Sequence, residues 1–553
     1  MPKFGNQPAF DSEPAFDNEP AFDNEPDLEN EPGRDEGANR PARAPRTVRG
    51  TIIIGARLLT GTIGLGVAAA VVAATALLPL PIIGNDAAGA LVTPIPAAQE
   101  LVCPGAVLRL GDERGQNATT ATAIGAPAVV AASTADGIEA IPFESSDAST
   151  GGTPSAPLGI RASSASSVTS ATDGETQPAA TLLAGAQSQF PTGGELTGLA
   201  ATSCLGASTE SWLVGGSTAV GRTTLITLAN PSDVASTVAL TIYGESGSVT
   251  AAGATGIIVQ PHGQRVLSLA GFAPAMQSPV VQVVSRGGQI VANLQQSAVR
   301  GLDAGGIDIV SANAVPSTSQ VIPGVVISGG LAVAESVGAQ GFEDLATAIR
   351  VLAPGTADAS ATVTLAPDAA VLVDGAPASG ASFVVELVAG RVMDIPLESI
   401  ADGIYTVTVH AEVPIVAGAR VSTVSAVANA GATGEGASMR PQSSDFAWLA
   451  AAPLLTTRTI VAIADGPRPL LHFRNEGDAD ATVTVTAMDG TELSVVVPVE
   501  GAASIAVRAG ETYLLDGFEA LYGAVSFLGD AQIAGYSIRP PAAASAPLIV
   551  FVK

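Results

Sequence analysis

The stretch LANPSDVASTVALTIYG, from Leu228 to Gly244, contains a turn signal followed by alternating apolar and polar residues. Such alternation is typical of a β-strand with one buried face. A second stretch, FRNEGDADATVTVTAMD from Phe473 to Asp489, follows the same pattern at a constant offset of 245 residues. The two stretches predict that one β-rich unit occurs more than once in the chain.

A third copy of the pattern lies at an offset of 125 residues from the first, in APGTADASATVTLAP. The same offset carries the triplet Ile-Val-Ala at residue 290 onto residue 415. Helical periodicity is not sustained anywhere after residue 84. About seven strands per copy is the number expected for an immunoglobulin-like sandwich. We therefore predict a mainly β fold with three tandem immunoglobulin-like β-sandwich modules, at residues 201–320, 321–440 and 441–553.

The repeated Asn and Asp side chains are predicted to be structural turn residues. Asn at the first position of a four-residue turn, followed by Pro or by a nearby Gly, is ordinary turn chemistry. The third copy has Gly355 where the others have Asn, which a turn tolerates and a ligand site would not. An alternative is calcium bound between modules by oxygen-rich loops. The residues assigned to turns are Asn230, Asp233, Asp358, Asn475 and Asp478.

The two tryptophans, Trp212 in SWLVGG and Trp448 in AWLAAAPL, stand in apolar words that we predict to open the first and third modules. Both are predicted to be core aromatic residues, because large aromatic side chains bury well against β-sheets. The alternative is a platform on which sugars stack.

The N-terminal 50 residues are predicted to be a disordered acidic tail. They contain repeats of the type PAFDNE, and such charged segments rich in proline cannot bury enough apolar surface to fold. Residues 51–84 are predicted to form a transmembrane signal-anchor helix, because no charge occurs from Leu58 to Gly84. Arginines precede this run, so the positive-inside rule places the N-terminus in the cytoplasm and the C-terminus outside. A cleaved signal peptide is the main alternative.

Residues 85–200 are predicted to be an extracytoplasmic linker rich in Ser, Thr, Ala and Gly, with a juxtamembrane strand. The chain has two cysteines, Cys103 and Cys204, one on each side of most of this stretch. In an oxidising compartment we expect them to form a disulfide. A metal site would need more thiols or histidines, so no metal is predicted.

Little else in the sequence indicates chemistry. The chain has 51 acidic and 24 basic residues among 553, and a net charge of -27 argues against nucleic-acid binding. The three histidines show no zinc spacing, and no serine-nucleophile, P-loop or dinucleotide-binding motif is present. Acidic residues could form a catalytic pair, but their spacing singles none out. We predict no catalytic residue and no cofactor.

Three words, LVCPG, SCLGASTESWLVGGS and LANPSDVASTVALTIYG, make the chain resemble an actinobacterial cell-envelope family, the domain of unknown function 5719 family. The resemblance extends from about Leu101 to Val552 and leaves out the acidic tail. It implies a single-pass membrane protein with a long exported β-rich part, and it provides no catalytic residues.

These observations together predict a membrane-anchored cell-envelope protein with a non-enzymatic structural or interaction role. Its expected partners are envelope proteins or wall polymers, bound through sheet edges or loops. Two alternatives remain: an envelope enzyme that acts on glycans with paired carboxylates, and a signalling protein that uses its cytoplasmic repeat.

Overall fold

The alternating stretches fold into antiparallel β-strands in a computed structural model. Residues 88–553 form one compact unit. The structure describes residues 89–92, 99–110, 121–135, 137–143, 156–162, 181–191, 196–338, 341–368, 372–373, 376–377, 379–397, 400–425, 443–541 and 548–551. The predicted tail at 1–50 and the predicted membrane helix at 51–84 lie outside these residues. Within them, no helix is both long enough and apolar enough to cross a membrane.

The stretch predicted to be a linker contains strands of its own. Strands β2, β7 and β6 form one sheet, β5, β8 and β9 form another, and β3 pairs with β4. These strands, with β1, are β1 (Gly89–Val92), β2 (Glu100–Cys103), β3 (Leu108–Leu110), β4 (Ala121–Ala123), β5 (Ala128–Ser133), β6 (Ile138–Pro142), β7 (Leu158–Ala162), β8 (Leu183–Gln189) and β9 (Ala200–Ser203). Strand β1 pairs with β36 (Leu548–Phe551) at the other end of the described chain.

The remaining strands form three groups, which we call repeats A, B and C. Repeat A consists of β10 (Glu210–Val214), β11 (Arg222–Ala229), β12 (Ser236–Gly244), β13 (Gly247–Val249), β14 (Ile257–Val259), β15 (Gln264–Ser268), β16 (Val280–Arg286), β17 (Val291–Arg300) and β18 (Asp303–Val310). Repeat B consists of β19 (Ser317–Ile327), β20 (Ala348–Leu352), β21 (Ala359–Pro367), β22 (Leu372–Val373), β23 (Ala376–Pro377), β24 (Ala381–Leu387), β25 (Val392–Pro396), β26 (Gly403–Val424) and β27 (Ser444–Ala450).

Repeat C consists of β28 (Thr459–Ala462), β29 (Leu470–Asn475), β30 (Ala481–Ala487), β31 (Glu492–Val497), β32 (Ala502–Ala506), β33 (Thr512–Asp516), β34 (Leu521–Gly529) and β35 (Gln532–Ser537). Helical turns are few among the described residues: one α-helix, α1 (Gly330–Val337), and two short 3-10 turns at Leu269–Gly271 and Glu343–Leu345.

The three repeats share one strand order. Repeat A has the sheets β10-β16-β12-β13 and β15-β11-β17-β18, and repeat C has β28-β33-β30-β31 and β32-β29-β34-β35. In repeat B the long strand β26 runs through both sheets. Its first half pairs with β19 and β21, and its second half pairs with β20 and β27. The stretches that predicted the repeat are β12, β21 and β30, and each buries every second side chain.

Each repeat packs both of its sheets around one hydrophobic core. In repeat A, Ile226 and Leu228 from one sheet meet Leu240 and Val283 from the other. The core of repeat C also takes in Leu182, Leu199 and neighbouring apolar residues of β8 and β9. Part of the stretch predicted to be a linker is therefore packed against the third repeat.

Strand β27 belongs to two cores at once. Its residues Ala447 and Leu449 lie in the core of repeat B, while Phe446 and Trp448 lie in the core of repeat A. This division follows from the two-residue period of a strand, which sends successive side chains to opposite faces. Strand β27 lies within residues 441–553, the range predicted for the third module. In the structure, however, it is hydrogen-bonded to β26 of repeat B.

Candidate functional site between the three repeats

The two repeated asparagines are buried and hold their turns together from inside. Asn230 donates from Nδ2 to the carbonyls of Val234 at 2.8 Å and Val259 at 3.1 Å. Asn475 makes the equivalent bonds to Ala479 at 2.7 Å and Val497 at 3.1 Å. The side chains of both are 1% exposed or less, so each amide joins a turn to a neighbouring strand end.

The three turn aspartates do not share one role. Asp233 is exposed, and its Oδ1 lies 2.8 Å from Nε2 of His262. Asp358 accepts a hydrogen bond from the backbone N–H of Ala389 at 2.8 Å, in the repeat that lacks the asparagine. Asp478 is exposed. No group of three His, Cys, Asp or Glu side chains within the described ranges is arranged to hold a metal ion.

Both tryptophans are buried, Trp212 at 4% and Trp448 at 3% exposure. Trp212 stacks on Tyr243 with 5.9 Å between ring centroids and donates from Nε1 to Glu210 at 2.9 Å. Trp448 donates from Nε1 to Gln296 at 2.6 Å, and the guanidinium of Arg350 lies 4.4 Å from its ring centroid. The ring of Trp448 is thus enclosed by protein and offers no free face to a sugar.

Cys103 and Cys204 form a disulfide. Cys103 ends β2 and Cys204 follows β9, and the adjacent residues Val102 and Leu205 exchange backbone hydrogen bonds at 2.8 and 3.0 Å. The bond therefore joins the first described sheets to the start of repeat A.

His472 lies in a buried chain of polar groups between repeats B and C. Its Nδ1 is 2.7 Å from the hydroxyl of Ser504, its Nε2 is 2.6 Å from that of Ser526, and Ser504 donates to Asp368 of repeat B. Burial lowers the pKa of His472 to about 3, so the ring is neutral at physiological pH. Although a serine beside a histidine can act as a nucleophile, His472 and Ser526 are only 2% and 4% exposed. A substrate has no access to this pair.

Three arginines converge on one carboxylate where repeats A and B meet. Asp344 lies 2.6 Å from Arg222, 2.8 Å from Arg300 and 2.9 Å from Arg420. Burial alone would raise the pKa of Asp344, but the three guanidinium groups hold it well below its usual range. Asp344 lies in the 3-10 turn Glu343–Leu345, so this turn fixes the connection between the two repeats.

The strands that end the three second sheets, β18, β27 and β35, come together around a second carboxylate. Asp445 of β27 is fully buried and accepts backbone N–H groups from Leu199, Ile307 and Ile533, at 2.9, 3.2 and 3.1 Å. These donors belong to the segment before β9, to β18 and to β35. Burial raises the pKa of Asp445 well above its usual value, against the hydrogen bonds that lower it.

Asp308 of β18 is also fully buried, and burial raises its pKa to about 8. Its Oδ2 accepts the backbone N–H of Trp448 at 2.7 Å. Because Asp308 and Asp445 are both enclosed by strands, this pair of carboxyl groups does not flank an open cleft. The arrangement therefore fits a structural junction better than a glycosidase site.

A cavity of about 420 Å³ opens at the end of this junction. Each repeat sends the segment that follows its last strand to the wall: residues 312–315 after β18, 452–454 after β27, and Arg539 after β35. The strand β10 and residues before it also line the wall, with Glu210 and Trp212, and so do residues of β17, β19 and β34. Val315 and Leu454 are 75% and 38% exposed, so the cavity opens to solvent on their side.

Among the residues that the structure describes, Arg539 is the one cationic residue in the cavity wall. Its terminal amino group donates to the carbonyl of Ala312, and its buried Nε has no hydrogen-bond partner among the described residues. Burial lowers the pKa of Arg539 to about 10, which leaves the guanidinium charged at neutral pH. The described part of the chain places no carboxylate within ion-pair distance of it, and the cavity wall also contains one acidic residue, Glu210.

No pattern in the sequence indicates this cavity. Arg539 stands in the word GYSIRPP, where it looks like any surface arginine after a strand. The arrangement depends on three segments more than 80 residues apart in sequence that meet in space. A structural alignment of the three repeats would have shown the arginine, because the equivalent segments of repeats A and B carry no charge at the cavity.

A family model described as "Family of unknown function (DUF5719)" matches residues 159–515. The chain belongs to this DUF5719 family. The match covers most of repeats A to C together with β8 and β9, and it stops before Arg539. No curated protein matches the chain.

Two solved structures show weak similarity to this DUF5719 chain. One is a biofilm-associated protein, BSP domain, with 12% identity, coverage of 65% of this chain and 66% of that chain, and a TM-score of 0.12. The other, from work on host cell surface retention of a 1.5-MDa bacterial ice-binding adhesin, has 13% identity, coverage of 60% and 98%, and a TM-score of 0.09. At such TM-scores neither structure informs the fold or the function.

Proposed function

We propose that this DUF5719 protein is a membrane-anchored extracytoplasmic protein of an actinobacterial cell envelope, with a non-enzymatic structural or interaction role. Residues 1–50 would lie in the cytoplasm and residues 51–84 would form the single membrane helix. The part after residue 84 would face outward and bind envelope proteins or wall polymers.

The disulfide between Cys103 and Cys204 is the observation that carries this proposal. The chain has two cysteines in all, and they are bonded to each other. Disulfides persist in oxidising compartments and are rare in the reducing cytosol.

The three repeats support the binding role. We interpret each as an immunoglobulin-like β-sandwich, since two antiparallel sheets of four or five strands pack around one core. Sandwiches of this kind recur in cell-surface domains, although fold alone does not determine function. The cavity between the repeats provides a place for a small group of a partner to enter.

The topology is tested with epitope labels on the full-length protein in intact cells. We expect a C-terminal label to be digested by added protease and an N-terminal label to be protected until lysis. Alkylation should modify two cysteines after reduction and none before it. A C-terminal label that stays protected in intact cells would overturn the proposal.

The interaction role is tested separately, by crosslinking the exported part in living cells. We expect the crosslinked species to contain envelope proteins or wall fragments. Crosslinks confined to lipid would contradict a role in binding.

A further inference from the structure

The wall of the cavity carries one charged side chain of each sign. Among the described residues that line it, Glu210 is the acidic one and Arg539 the cationic one. Nε of Arg539 is buried, so this N–H is closed to a ligand and the residue contributes mainly its charge. Because the two formal charges cancel, the wall favours neither an anion nor a cation. The ligand that fits it best is neutral and polar.

Hydroxyl and amide groups provide the rest of the polarity of the wall. The side chains concerned are Ser208, Ser211, Asn313, Ser317, Ser319 and Tyr522. A hydroxyl group both donates and accepts hydrogen bonds, and so does an amide side chain. Such a wall complements a ligand with several groups that also do both, and the hydroxyl groups of a sugar are of this kind.

Three polar groups of the wall have no hydrogen-bond partner among the described residues. Glu210 uses Oε1 to accept hydrogen bonds from Trp212 and Gln282, both at 2.9 Å, and leaves Oε2 unused. The hydroxyl groups of Ser319 and Tyr522, both half-buried residues, make no hydrogen bond within the described ranges. One acceptor and two hydroxyl groups in the same wall are therefore available to a ligand.

Small apolar surfaces complete the wall. Ala292, Ala312, Ala314 and Ala452 line it together with the aromatic ring of Tyr522. The C–H groups of a sugar ring can pack on such surfaces while its hydroxyl groups reach the polar side chains. The volume of about 420 Å³ lies within the range of about 300 to 1,000 Å³ that is typical of small-ligand sites.

The opening of the cavity allows the ligand to be part of a longer chain. Val315 and Leu454 lie in the wall and are 75% and 38% exposed, so the cavity is open to solvent on their side. A sugar held in the cavity can therefore remain the end of a polymer that continues in solvent.

We propose that the cavity binds a neutral sugar unit of a wall polymer, with Glu210, Ser319 and Tyr522 as the residues that bond to its hydroxyl groups. This inference deepens the proposed interaction role and rests on it for its biological setting. The contact itself is a property of the folded protein and can be measured without knowing the location of the protein.

The test uses purified full-length protein in a detergent without a sugar headgroup, because a glycoside detergent would compete for the site. Ligand-observed NMR titration measures binding of two neutral disaccharides, maltose and N,N′-diacetylchitobiose. We expect saturable binding of at least one of them. Glucuronate and glucosamine each carry a charge, and they should bind more weakly than their neutral counterparts glucose and N-acetylglucosamine.

Tyr522→Phe is the most specific variant, because it removes only a hydroxyl group that bonds to none of the described residues. A hydrogen bond between neutral groups corresponds to a change in affinity of about twofold to tenfold, and we expect a loss in this range with unchanged thermal stability. Tyr405→Phe is the matched control, because its hydroxyl group donates to the carbonyl of Ala401 outside the cavity. It should bind the sugar like the wild type.

Two further variants address the carboxylate and the space. Glu210→Gln replaces the unused oxygen with an amino group and should weaken binding about tenfold or more, since a hydrogen bond to a charged group is the stronger kind. Ala314→Phe should fill the cavity and abolish binding with Glu210, Ser319 and Tyr522 intact.

Three results would overturn the inference: no saturable binding of either disaccharide, wild-type affinity in both Tyr522→Phe and Glu210→Gln, or tighter binding of a charged sugar than of its neutral counterpart. The last result would assign the site to a charged ligand. The topology and crosslinking experiments do not depend on this cavity, so failure of the sugar site is distinguishable from failure of the proposed function.

Discussion

Asn230 and Asn475 act through buried hydrogen bonds, as well as through the turn that their type favours. Each amide bonds two carbonyl groups and also accepts a backbone N–H two residues on, at 3.0 Å for Asn230 and 2.8 Å for Asn475. Replacement by alanine leaves these backbone groups unpaired in the interior. The sequence predicted the turn, but the burial of the side chain depends on the strand ends that meet it.

Asn230→Ala and Asn475→Ala are therefore expected to lower the free energy of unfolding by about 2 kcal/mol each, because unpaired buried polar groups cost about 1 to 3 kcal/mol. Urea unfolding followed by circular dichroism measures the change. Asp478→Ala, in the same turn as Asn475 but exposed, is the control and should change stability by less than about 0.5 kcal/mol. Equal effects for Asn475 and Asp478 would contradict this assignment.

His472 is expected to contribute a loss of stability in mild acid, while Asp308 and Asp445, whose pKa values are raised by burial, contribute in the opposite direction. The pKa of His472 is about 3 in the folded protein, because of burial, and about 6.5 in an unfolded chain. Between these values the unfolded chain binds a proton at His472 that the folded protein does not, so the contribution of His472 to stability is lost as the pH falls below about 6.5. The loss should be about 1.4 kcal/mol per pH unit.

Thermal unfolding between pH 7 and pH 5 tests this expectation. Relative to the wild type, His472→Gln should lose less stability, or gain more, as the pH falls from 7 to 5, although the variant will be less stable at pH 7 because the bonds to Ser504 and Ser526 change. His410→Gln, at an exposed position of repeat B, is the matched control and should keep the slope of the wild type. An identical slope in His472→Gln would show that the histidine is not the source.

At the scale of single strands, the alternation of residues predicted β12, β21 and β30 well. For the segment AWLAAAPL, the local pattern did not predict which strand it pairs with. We expected it to open the third module, as SWLVGG opens the first, but it forms β27, the last strand of repeat B. Both words are short and apolar, and this character indicates burial without indicating the pairing partner. The partner is β26, and the pairing is set by contacts that no local pattern records.

The 3-10 turn Glu343–Leu345 joins repeats A and B through Asp344, and its loss should be costly. Asp344→Asn would leave Arg222, Arg300 and Arg420 close together without their shared carboxylate. Removing one partner from a buried ion pair costs about 3 to 5 kcal/mol, and Asp344 is partly exposed, so we expect a loss of about 3 kcal/mol. Urea unfolding measures it.

A second ion pair provides the control for this variant. Arg458 and Asp516 are 58% and 61% exposed and 3.6 Å apart, so Asp516→Asn should cost less than about 1 kcal/mol. A similar small cost for Asp344→Asn would mean that the arginine cluster does not hold the two repeats together.

At the scale of the whole molecule, the repeats are joined by their equivalent last strands. The sequence predicted three copies, because the spacing of the alternating stretches is visible in the chain. It did not predict that β18, β27 and β35 would meet, because their contact rests on Asp445 and on backbone N–H groups more than 80 residues away. In the sequence, an aspartate that becomes buried in this way cannot be distinguished from the many other acidic residues of the chain. The same limit applies to Arg539 and the cavity.

This junction predicts that repeats A, B and C unfold together. Strand β27 places side chains in the cores of both repeat A and repeat B. Asp445 of this strand accepts backbone N–H groups from repeats A and C. Unfolding of one repeat would therefore expose apolar surface or buried N–H groups in another. Differential scanning calorimetry of the full-length protein should show one main transition for the β region.

Asp445→Ala tests the junction directly, because it leaves three buried N–H groups without an acceptor. Each unpaired group costs about 1 to 3 kcal/mol, so the variant should have a much lower transition temperature and should unfold in separate steps. Asp530→Ala, at an exposed turn beside β35, is the matched control and should keep both the temperature and the single transition. Separate transitions in the wild type, or an unchanged profile for Asp445→Ala, would show that the three repeats are independent units in contact and that the cavity between them is not held by the fold.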